Sequence, residues 1–469
     1  METTPSRQVA AQGETLIGTV MASIRRRIAS RGLTPGARLP SIRALATTMR
    51  VSKSTVVEAY ERLAAEGLIR ARPGSGYYVS APMAPLSLAE IGPRLDREVD
   101  PLWISRQSLD AGDTVLKPGC GWLPASWMPH EAIRRGLRTA SRAADATLAD
   151  YGTPLGLRPL RELLARRMGA HGIHASPEQV MLSESGTQTL DLICRYLLEP
   201  GNAVVVDDPC YFNFHALLRA HRAKVVSVPY GPDGPDIAKF AAVLEEHRPR
   251  LYLTNSGIHN PTGATLSPVT AHRLLKLADQ HELIIVEDDI FADFEVSPAP
   301  RLAAFDGLEQ VIATGSFSKT LSASVRCGYV AARPDWLEGL VDLKIATSFG
   351  GSHFAEALVL NLLIDGSYRK HLEALRVKLA RSMAETAGRL EAIGIRAWLM
   401  PQAGMFLWCH LPEGVDAGNV ARQALAEDIV LAPGNAFSLS QTAHGFMRFN
   451  VAQSGDERIY RSLEAAMRG

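Results

Sequence analysis

Apolar residues recur at helical spacing at Ile17, Val20, Met21, Ile24 and Ile28, which predicts an amphipathic helix. Leu33-Thr34-Pro35-Gly36 breaks that run. Ser41 is placed to cap a second helix with Ile42, Leu45, Ala46 and Met49 inward. Ser52 is placed to cap a third, with Val56, Tyr60 and Leu63 inward and Gly67 at its end. Leu68 to Val79 then alternates around Pro73-Gly74-Ser75-Gly76, as a two-stranded wing would. From Ala81 to about Asp113 the chain is interrupted by Pro82, Pro85, Gly92, Pro93 and Pro101, and a linker is expected there, with a short helix near Trp103.

Beyond Gly112 the pattern changes. Short β-branched runs stand at Val180–Leu182, Ala203–Val206, Val225–Val228, Leu251–Thr254, Leu283–Val286, Val311–Ala313 and Gly328–Ala331. Helical stretches separate most of them: Leu160–Met168, Thr189–Leu198, Ile237–Glu246 and Thr270–His281. This alternation predicts an α/β fold, a mostly parallel seven-stranded sheet covered on both faces. Such sheets take ligands at the carboxyl ends of their strands. From about Phe349 onward, long helices mix with short strands, which predicts a smaller C-terminal subdomain. The expected organisation is therefore a head over residues 12–80, a linker over 81–111 and a body over 112–469, its large part reaching about residue 348.

Composition adds little until charge is divided along the chain. With 46% hydrophobic and 21% charged residues the chain reads as globular. The first residues, Met1-Glu2-Thr3-Thr4-Pro5-Ser6, show no export signal, and the apolar runs are too short to span a bilayer. Cys120, Cys194, Cys210, Cys327 and Cys409 are scattered and form no CxxC pair, so neither a disulfide framework nor a metal site is expected, and a reducing cytoplasm fits. The net charge of +1 hides an asymmetry: residues 12–80 carry +7 and residues 81–469 carry −6. A basic head on an acidic body points to nucleic acid at one end; a solvated basic face is the plainer alternative.

The head's small polar and basic residues fall where a helix-turn-helix meets DNA. Ser52-Lys53-Ser54-Thr55 opens the third helix, the one laid in the major groove. Arg43 stands at the start of the second, and Gly74 and Gly76 let the wing approach a phosphate. Leu39 to Ala46, Val51 to Val56 and Leu63 to Leu68 together closely resemble the winged head of GntR-family regulators. That resemblance implies that Arg43, Lys53, Ser54, Thr55 and Gly74 contact DNA. Val57 stands where a branch of the family has Arg, so the operator cannot be borrowed.

In the body, Ser185-Gly186-Thr187-Gln188 follows a predicted strand and opens a predicted helix, a place that favours a phosphate. Asp208-Pro209-Cys210-Tyr211 ends another strand, with Tyr211 available to cover a flat ring. In His259-Asn260-Pro261-Thr262-Gly263 an Asn is held by a turn, and Glu287-Asp288-Asp289 closes the strand before it with acids. Ser316-Phe317-Ser318-Lys319 puts a lysine at the mouth of the sheet, Arg326 follows seven residues later, and Met447-Arg448-Phe449 sets a charge in an apolar run. Lysine, acid, phosphate donors and flat ring are the four groups that pyridoxal phosphate requires. Each has a duller reading alone: a Pro turn, a capping acid, a surface strand Arg.

Together these residues resemble fold-type-I aminotransferases over roughly residues 112–469. The resemblance implies Lys319 as Schiff-base lysine, Asp288 at the pyridine nitrogen, Asn260 at the phenolic oxygen and Tyr211 stacked on the ring. It implies Ser185, Gly186, Thr187, Ser316 and Arg326 at the phosphate, and Arg448 at a substrate α-carboxylate. Tyr151 of Asp150-Tyr151-Gly152 matches the tyrosine that reaches a partner subunit's phosphate, so a homodimer is implied. A GntR head on this body is the arrangement of MocR-type regulators. One departure is Phe291, where the family usually has a tyrosine that also donates to the phenolic oxygen. Two functions are expected to compete: a regulator sensing the cofactor or its adduct with an amine or amino acid, and a working aminotransferase that also binds DNA.

Overall fold

The computed structural model describes residues 15–29, 32–34, 36–72, 74–80, 101–110, 112, 114–143 and 145–468. Pro35, Pro73, Asp113 and residues 81–100, most of the expected linker, lie outside the described residues. The chain divides into two compact units, within residues 1–94 and 95–469.

In the first unit α1 (Leu16–Ala29), α2 (Ile42–Met49) and α3 (Lys53–Ala65) precede a hairpin of β1 (Ile69–Arg72) and β2 (Gly76–Val79). Ser41 caps α2 by accepting from the Ala44 amide, and Ser52 caps α3 by accepting from that of Thr55. Val20 and Ile24 of α1, Leu45 of α2 and Val56, Tyr60 and Leu63 of α3 are buried together, closed by Ile69 and Val79 of the hairpin. Ile42 and Met49 pack at the edge of this core. The Tyr60 hydroxyl donates to the Pro40 carbonyl at 2.9 Å, so the ring fills the core while its polar tip is satisfied.

The second unit begins its described chain with α4 (Pro101–Asp110). Although this helix falls in the expected linker, Ile104 is 3% exposed and packs with Trp408, Val430 and Phe437. The main sheet contains the seven expected strands: β3 (Val180–Ser183), β4 (Ala203–Asp208), β5 (Lys224–Gly231), β7 (Leu251–Thr254), β8 (Ile284–Asp288), β9 (Val311–Ser316) and β10 (Gly328–Ala331). An eighth, β6 (Gly234–Pro235), turns back against β5 at one edge. Two residues without β-branched side chains leave no strand pattern, which is why the sequence predicts seven. The order is β3-β10-β9-β8-β7-β4-β5-β6. β10 runs antiparallel to both its neighbours, while β5, β4, β7, β8 and β9 are mutually parallel.

Every residue of β3, β7, β8 and β9 is buried, as expected of strands covered on both faces. Separate apolar clusters fill the two sides, one around Leu160, Phe240 and Leu274 and another around Ile193, Phe214 and Leu340. The C-terminal part is a four-stranded antiparallel sheet, β11 (Arg396–Ala397), β12 (Phe406–His410), β14 (Phe446–Asn450) and β13 (Ala432–Pro433) in spatial order, with the long helix Ser367–Ala392. Among the described residues no helix is long and apolar enough to cross a membrane, and none group as a metal-binding cluster.

Candidate functional site

A cavity of about 420 Å³ opens at the carboxyl ends of the parallel strands, where such sheets place ligands. Ser185, Gly186, Thr187, Tyr211, Asn260, Asp288, Ser316, Lys319 and Arg326 all line it. The sheet brings them together because β3, β4, β7, β8 and β9 end on the same side, each delivering its own motif.

The helix Gly186–Leu197 starts on the cavity wall. Ser185 is its N-cap: the side chain takes the Gln188 amide at 3.1 Å and the carbonyl takes that of Thr189 at 3.0 Å. The amides of Gly186 and Thr187 are left at the positive end of the helix, where an anion is favoured. A Cβ on Gly186 would stand 3.6 Å from Ser316 Cβ, so the turn after β9 closes over the same place. The Ser316 hydroxyl is 2.8 Å from that of Ser318, which also lines the cavity with the Arg326 side chain. Hydroxyls, amides and a guanidinium thus converge as a phosphate would need.

Asp288 ends β8 and is 6% exposed. Burial lifts its carboxyl from 3.8 to about 6, opposed by its bond to Asn255. Asn255, which also lines the cavity, gives its Nδ2 to the Asp288 carbonyl at 2.8 Å. Of the three consecutive acids only Asp288 reaches the cavity. Glu287 accepts the amides of Leu302 and Ala303 at 2.8 and 2.9 Å, and Asp289 is bonded to the buried Arg301 at 2.8 Å. A carboxyl held near neutrality by burial suits a partner that becomes cationic, such as a ring nitrogen.

Lys319 lies on the cavity wall, half-buried, with Nζ donating to the Gly121 carbonyl at 2.7 Å. Burial lowers its amine from 10.5 to about 8, so a neutral, nucleophilic fraction exists near pH 7. Burial pushes the Tyr211 phenol up to about 12, which keeps it a neutral ring. Phe291 on the wall packs edge-on to Phe406 at 5.8 Å and carries no donor.

Two expected residues stand apart from the cavity. Arg448 is wholly buried, sandwiched by Phe406 and Phe437 at 4.1 and 4.6 Å. It gives Nη1 to Asn260 Oδ1 at 2.9 Å and Nη2 to the Gly119 carbonyl at 2.7 Å, while Nε has no hydrogen-bond partner. Burial brings its guanidinium down to about 10. Tyr151 is 79% exposed and stacks on Phe349, with ring centres 5.6 Å apart. Sequence reasoning also missed Asn255, Gly121, Ser318 and the α4 residues Ser108 and Leu109, all on the wall. Ser318 stands inside the Ser316-Phe317-Ser318-Lys319 motif but was given no role there; the others lie in no motif, and only the proximity of Asn255 to Asn260 gave a hint.

In the head, Arg43, Lys53, Ser54 and Gly74 are exposed and Thr55 is half-buried. The hydroxyls of Ser54 and Thr55 lie 2.7 and 2.8 Å from Ser52 Oγ, so the cap fixes the start of α3. Gly74 has φ +70° with nothing near its absent Cβ; the turn conformation, not crowding, calls for glycine.

Comparison with known proteins gives two family matches: residues 123–465 with aminotransferases class I and II, and residues 16–79 with bacterial regulatory proteins of the gntR family. The uncharacterized HTH-type transcriptional regulator YdcR of Escherichia coli K12 is 31% identical over 444 residues, 93% of this chain and 94% of that protein. The HTH-type transcriptional regulator NorG of Staphylococcus aureus USA300 is 26% identical over 441 residues, covering 91% and 98%. Among solved structures, LysN, the α-aminoadipate aminotransferase of Thermus thermophilus complexed with N-(5'-phosphopyridoxyl)-L-leucine, superposes with TM-score 0.70. It is 28% identical over 78% of this chain and 94% of that one. The multiple substrate aminotransferase of Thermococcus profundus gives TM-score 0.69 at 27% identity, covering 78% and 94%.

Proposed function

The chain belongs to the aminotransferase class I and II family, joined to a gntR-family regulatory head, and from that premise we propose a DNA-binding transcription regulator whose body holds pyridoxal 5'-phosphate and senses it or its adduct with an amine. The observation that carries this reading is the gathering of Lys319, Asp288 and the open start of the helix Gly186–Leu197 on one cavity wall, in a chain whose head is basic.

The residues fit the cofactor in number, chemistry and burial. Ser185, Gly186, Thr187, Ser316 and Arg326 hold the phosphate, Tyr211 covers the ring, and Asp288 pairs with the ring nitrogen. Asn260 serves the phenolic oxygen: with Oδ1 engaged by Arg448, its Nδ2 is the donor available. When bound, the cofactor supplies an aldehyde that joins an amine and an electron-withdrawing ring. The chain's part is to orient it, to hold the Lys319 amine partly neutral, and to receive an α-carboxylate at Arg448. Tyr151 is assigned to a second copy's phosphate, so the functional unit is a homodimer and the exposed Tyr151–Phe349 pair is covered in it. Arg43, Lys53, Ser54, Thr55 and Gly74 are assigned to operator DNA, and a cytoplasmic location goes with that assignment.

The competing reading, a working aminotransferase, is favoured by the presence of Arg448. Footprinting on DNA upstream of the gene, with and without the cofactor and amines, decides between them. A footprint that changes with cofactor or amine supports the regulator. No footprint on any such DNA, together with sustained conversion of amino acid to keto acid, sinks it.

A further inference from the structure

We propose that Tyr368 is a positioning residue for Lys319, holding the turn that carries the amine against the start of the helix Ser367–Ala392. The inference rests on the pyridoxal phosphate reading above, which is why the place of that amine matters.

Lys319 stands in the turn after β9, and that turn meets Tyr368 on both sides of the lysine. On one side the Thr320 hydroxyl lies 2.5 Å from the Tyr368 hydroxyl. On the other the Phe317 ring packs edge-on to the Tyr368 ring, with centres 6.1 Å apart. All three side chains are buried in the interior. One turn further along the helix, His371 gives its Nε2 proton to the Thr320 carbonyl at 2.9 Å. The helix thus grips Thr320 by side chain and by main chain.

The hydroxyl chain runs in one direction. Tyr368 donates to Asp293 Oδ2 at 2.5 Å, so its single proton is committed and Thr320 is the donor to its oxygen. Burial pushes the Tyr368 phenol well above its usual 10, so that proton stays in place. Asp293 is itself fixed: Oδ1 lies 2.5 Å from Arg167 Nη2, and its carbonyl accepts from Arg376 Nε at 3.1 Å. It belongs to the short turn Ala292–Phe294 that follows Asp288 and Phe291. One phenol therefore sets the turn bearing the amine in register with the turn beyond the acid.

The same helix reaches into the C-terminal part. Tyr368 and Leu372 belong to the apolar cluster around Leu160 and Phe240, whereas Leu375, Leu379 and Met383 belong to the cluster of Phe406 and Phe449. Phe406 in turn packs on the Arg448 guanidinium. Tyr368 joins Lys319 to the rigid element that supports the carboxylate-binding arginine.

The consequence falls on the amine. Cys120, Arg448 and Asp288 act on it by charge, and Lys117 and Arg326 share its wall, but burial is the main cause of its lowered pKa. A turn released from Tyr368 admits water to the amine and leaves those charges in the chain. Its titration then moves up towards the ordinary 10.5.

The test uses the full chain, first without cofactor. Competitive labelling with acetic anhydride over a pH series, read by peptide mapping, follows the titration of Lys319 itself. In Tyr368→Phe and in Thr320→Val, Lys319 should titrate about one pH unit higher than in wild type. The double variant should shift no further, because both changes break the same bond. Thr320→Ser keeps the hydroxyl and should keep the wild-type profile. With pyridoxal phosphate added, the two shifted variants should take it up about tenfold more slowly at about pH 7. A Tyr368→Phe protein that melts cooperatively and titrates as wild type overturns the inference. So does a double variant whose shift is the sum of the two. Should Tyr368→Phe not fold, Thr320→Val against Thr320→Ser decides alone, and equal profiles overturn it. A wild type that never gains a visible band with pyridoxal phosphate overturns the cofactor reading instead, and the labelling profiles still judge Tyr368.

Discussion

Lys319 donates from Nζ to the carbonyl oxygen of Gly121, 198 residues away in the chain, at 2.7 Å. The bond parks the amine on the cavity wall, and burial lowers its pKa to about 8. Only the neutral amine attacks an aldehyde, so cofactor uptake should quicken about tenfold per pH unit below pH 8 and level off above it. Borohydride reduction should then fix the cofactor on Lys319, and Lys319→Ala should fold but take up none covalently. Stopped-flow absorbance and peptide mapping check both. A rate that is flat from about pH 6.5 to about 8.5, or label on another lysine, refutes the assignment.

Asp288 sets a pH-dependent strain that the cofactor relieves. Its folded pKa of about 6 lies above the 3.8 of an exposed carboxyl. For an acid with a raised folded pKa, the destabilisation begins as pH climbs past the unfolded value and is complete above the folded one. It amounts to about 3 kcal/mol at most. Without cofactor, Asp288→Asn should therefore melt higher than wild type at about pH 7.5 and lose that advantage below about pH 4. With cofactor the order should reverse, because the ring nitrogen has lost its counter-charge. A cofactor-free Asn variant that melts lower than wild type at about pH 7.5 contradicts this account.

In the proposed site Phe291 offers no donor to the cofactor's phenolic oxygen, and Asn260 alone would serve it. A hydroxyl bond would stabilise that oxygen's anion most in the deprotonated imine, so its absence should raise the pH at which the visible band titrates. Phe291→Tyr should lower that pH and speed reaction with amines in single-turnover assays. An unchanged titration and unchanged rate would remove any such role for Phe291.

The head's charge should show in its salt response. DNA affinity should fall steeply with salt as phosphate contacts release counterions. Lys53→Ala and Arg43→Ala should weaken binding while leaving the visible band alone, since both are exposed in the first unit. Electrophoretic shifts over a salt series measure the slope. A variant lacking residues 1–100 that still binds the operator tightly would refute the head's assignment.

α4 belongs to the body's packing. Ile104 is 3% exposed among Trp408, Val430 and Phe437, so Ile104→Ala should cost about 2–4 kcal/mol. Removing residues 1–100 should leave a body that binds cofactor. Removing 1–110 takes away Ile104 and the wall residues Ser108 and Leu109, and should lower both melting temperature and cofactor affinity. Equal behaviour of the two truncations in thermal melts would show that α4 contributes nothing.

The sequence by itself determined what is local. The periodicity of Val20 and Ile24 or of Val56 and Leu63 marks buried faces, and β-branched runs with acids or Ser-Gly at their ends mark strands and the motifs they deliver. Those signals located the head and the seven main strands, and with the family resemblance they picked out nine of the residues that line the cavity, from Ser185 to Arg326. The eighth strand escaped because Gly234–Pro235 is too short to have a period. Tertiary structure alone decided which of Glu287, Asp288 and Asp289 faces the cavity. Glu287 is turned to the amides of Leu302 and Ala303, and Asp289 to Arg301. It alone joined Lys319 to Gly121 and Arg448 to Asn260 and Gly119. It also closed α4 and Lys117 onto the wall. A periodic pattern records only whether a position faces the interior. A hydrogen bond between a side chain and a carbonyl nearly two hundred residues away depends on how the strands and loops are stacked, and it leaves no trace in either local stretch.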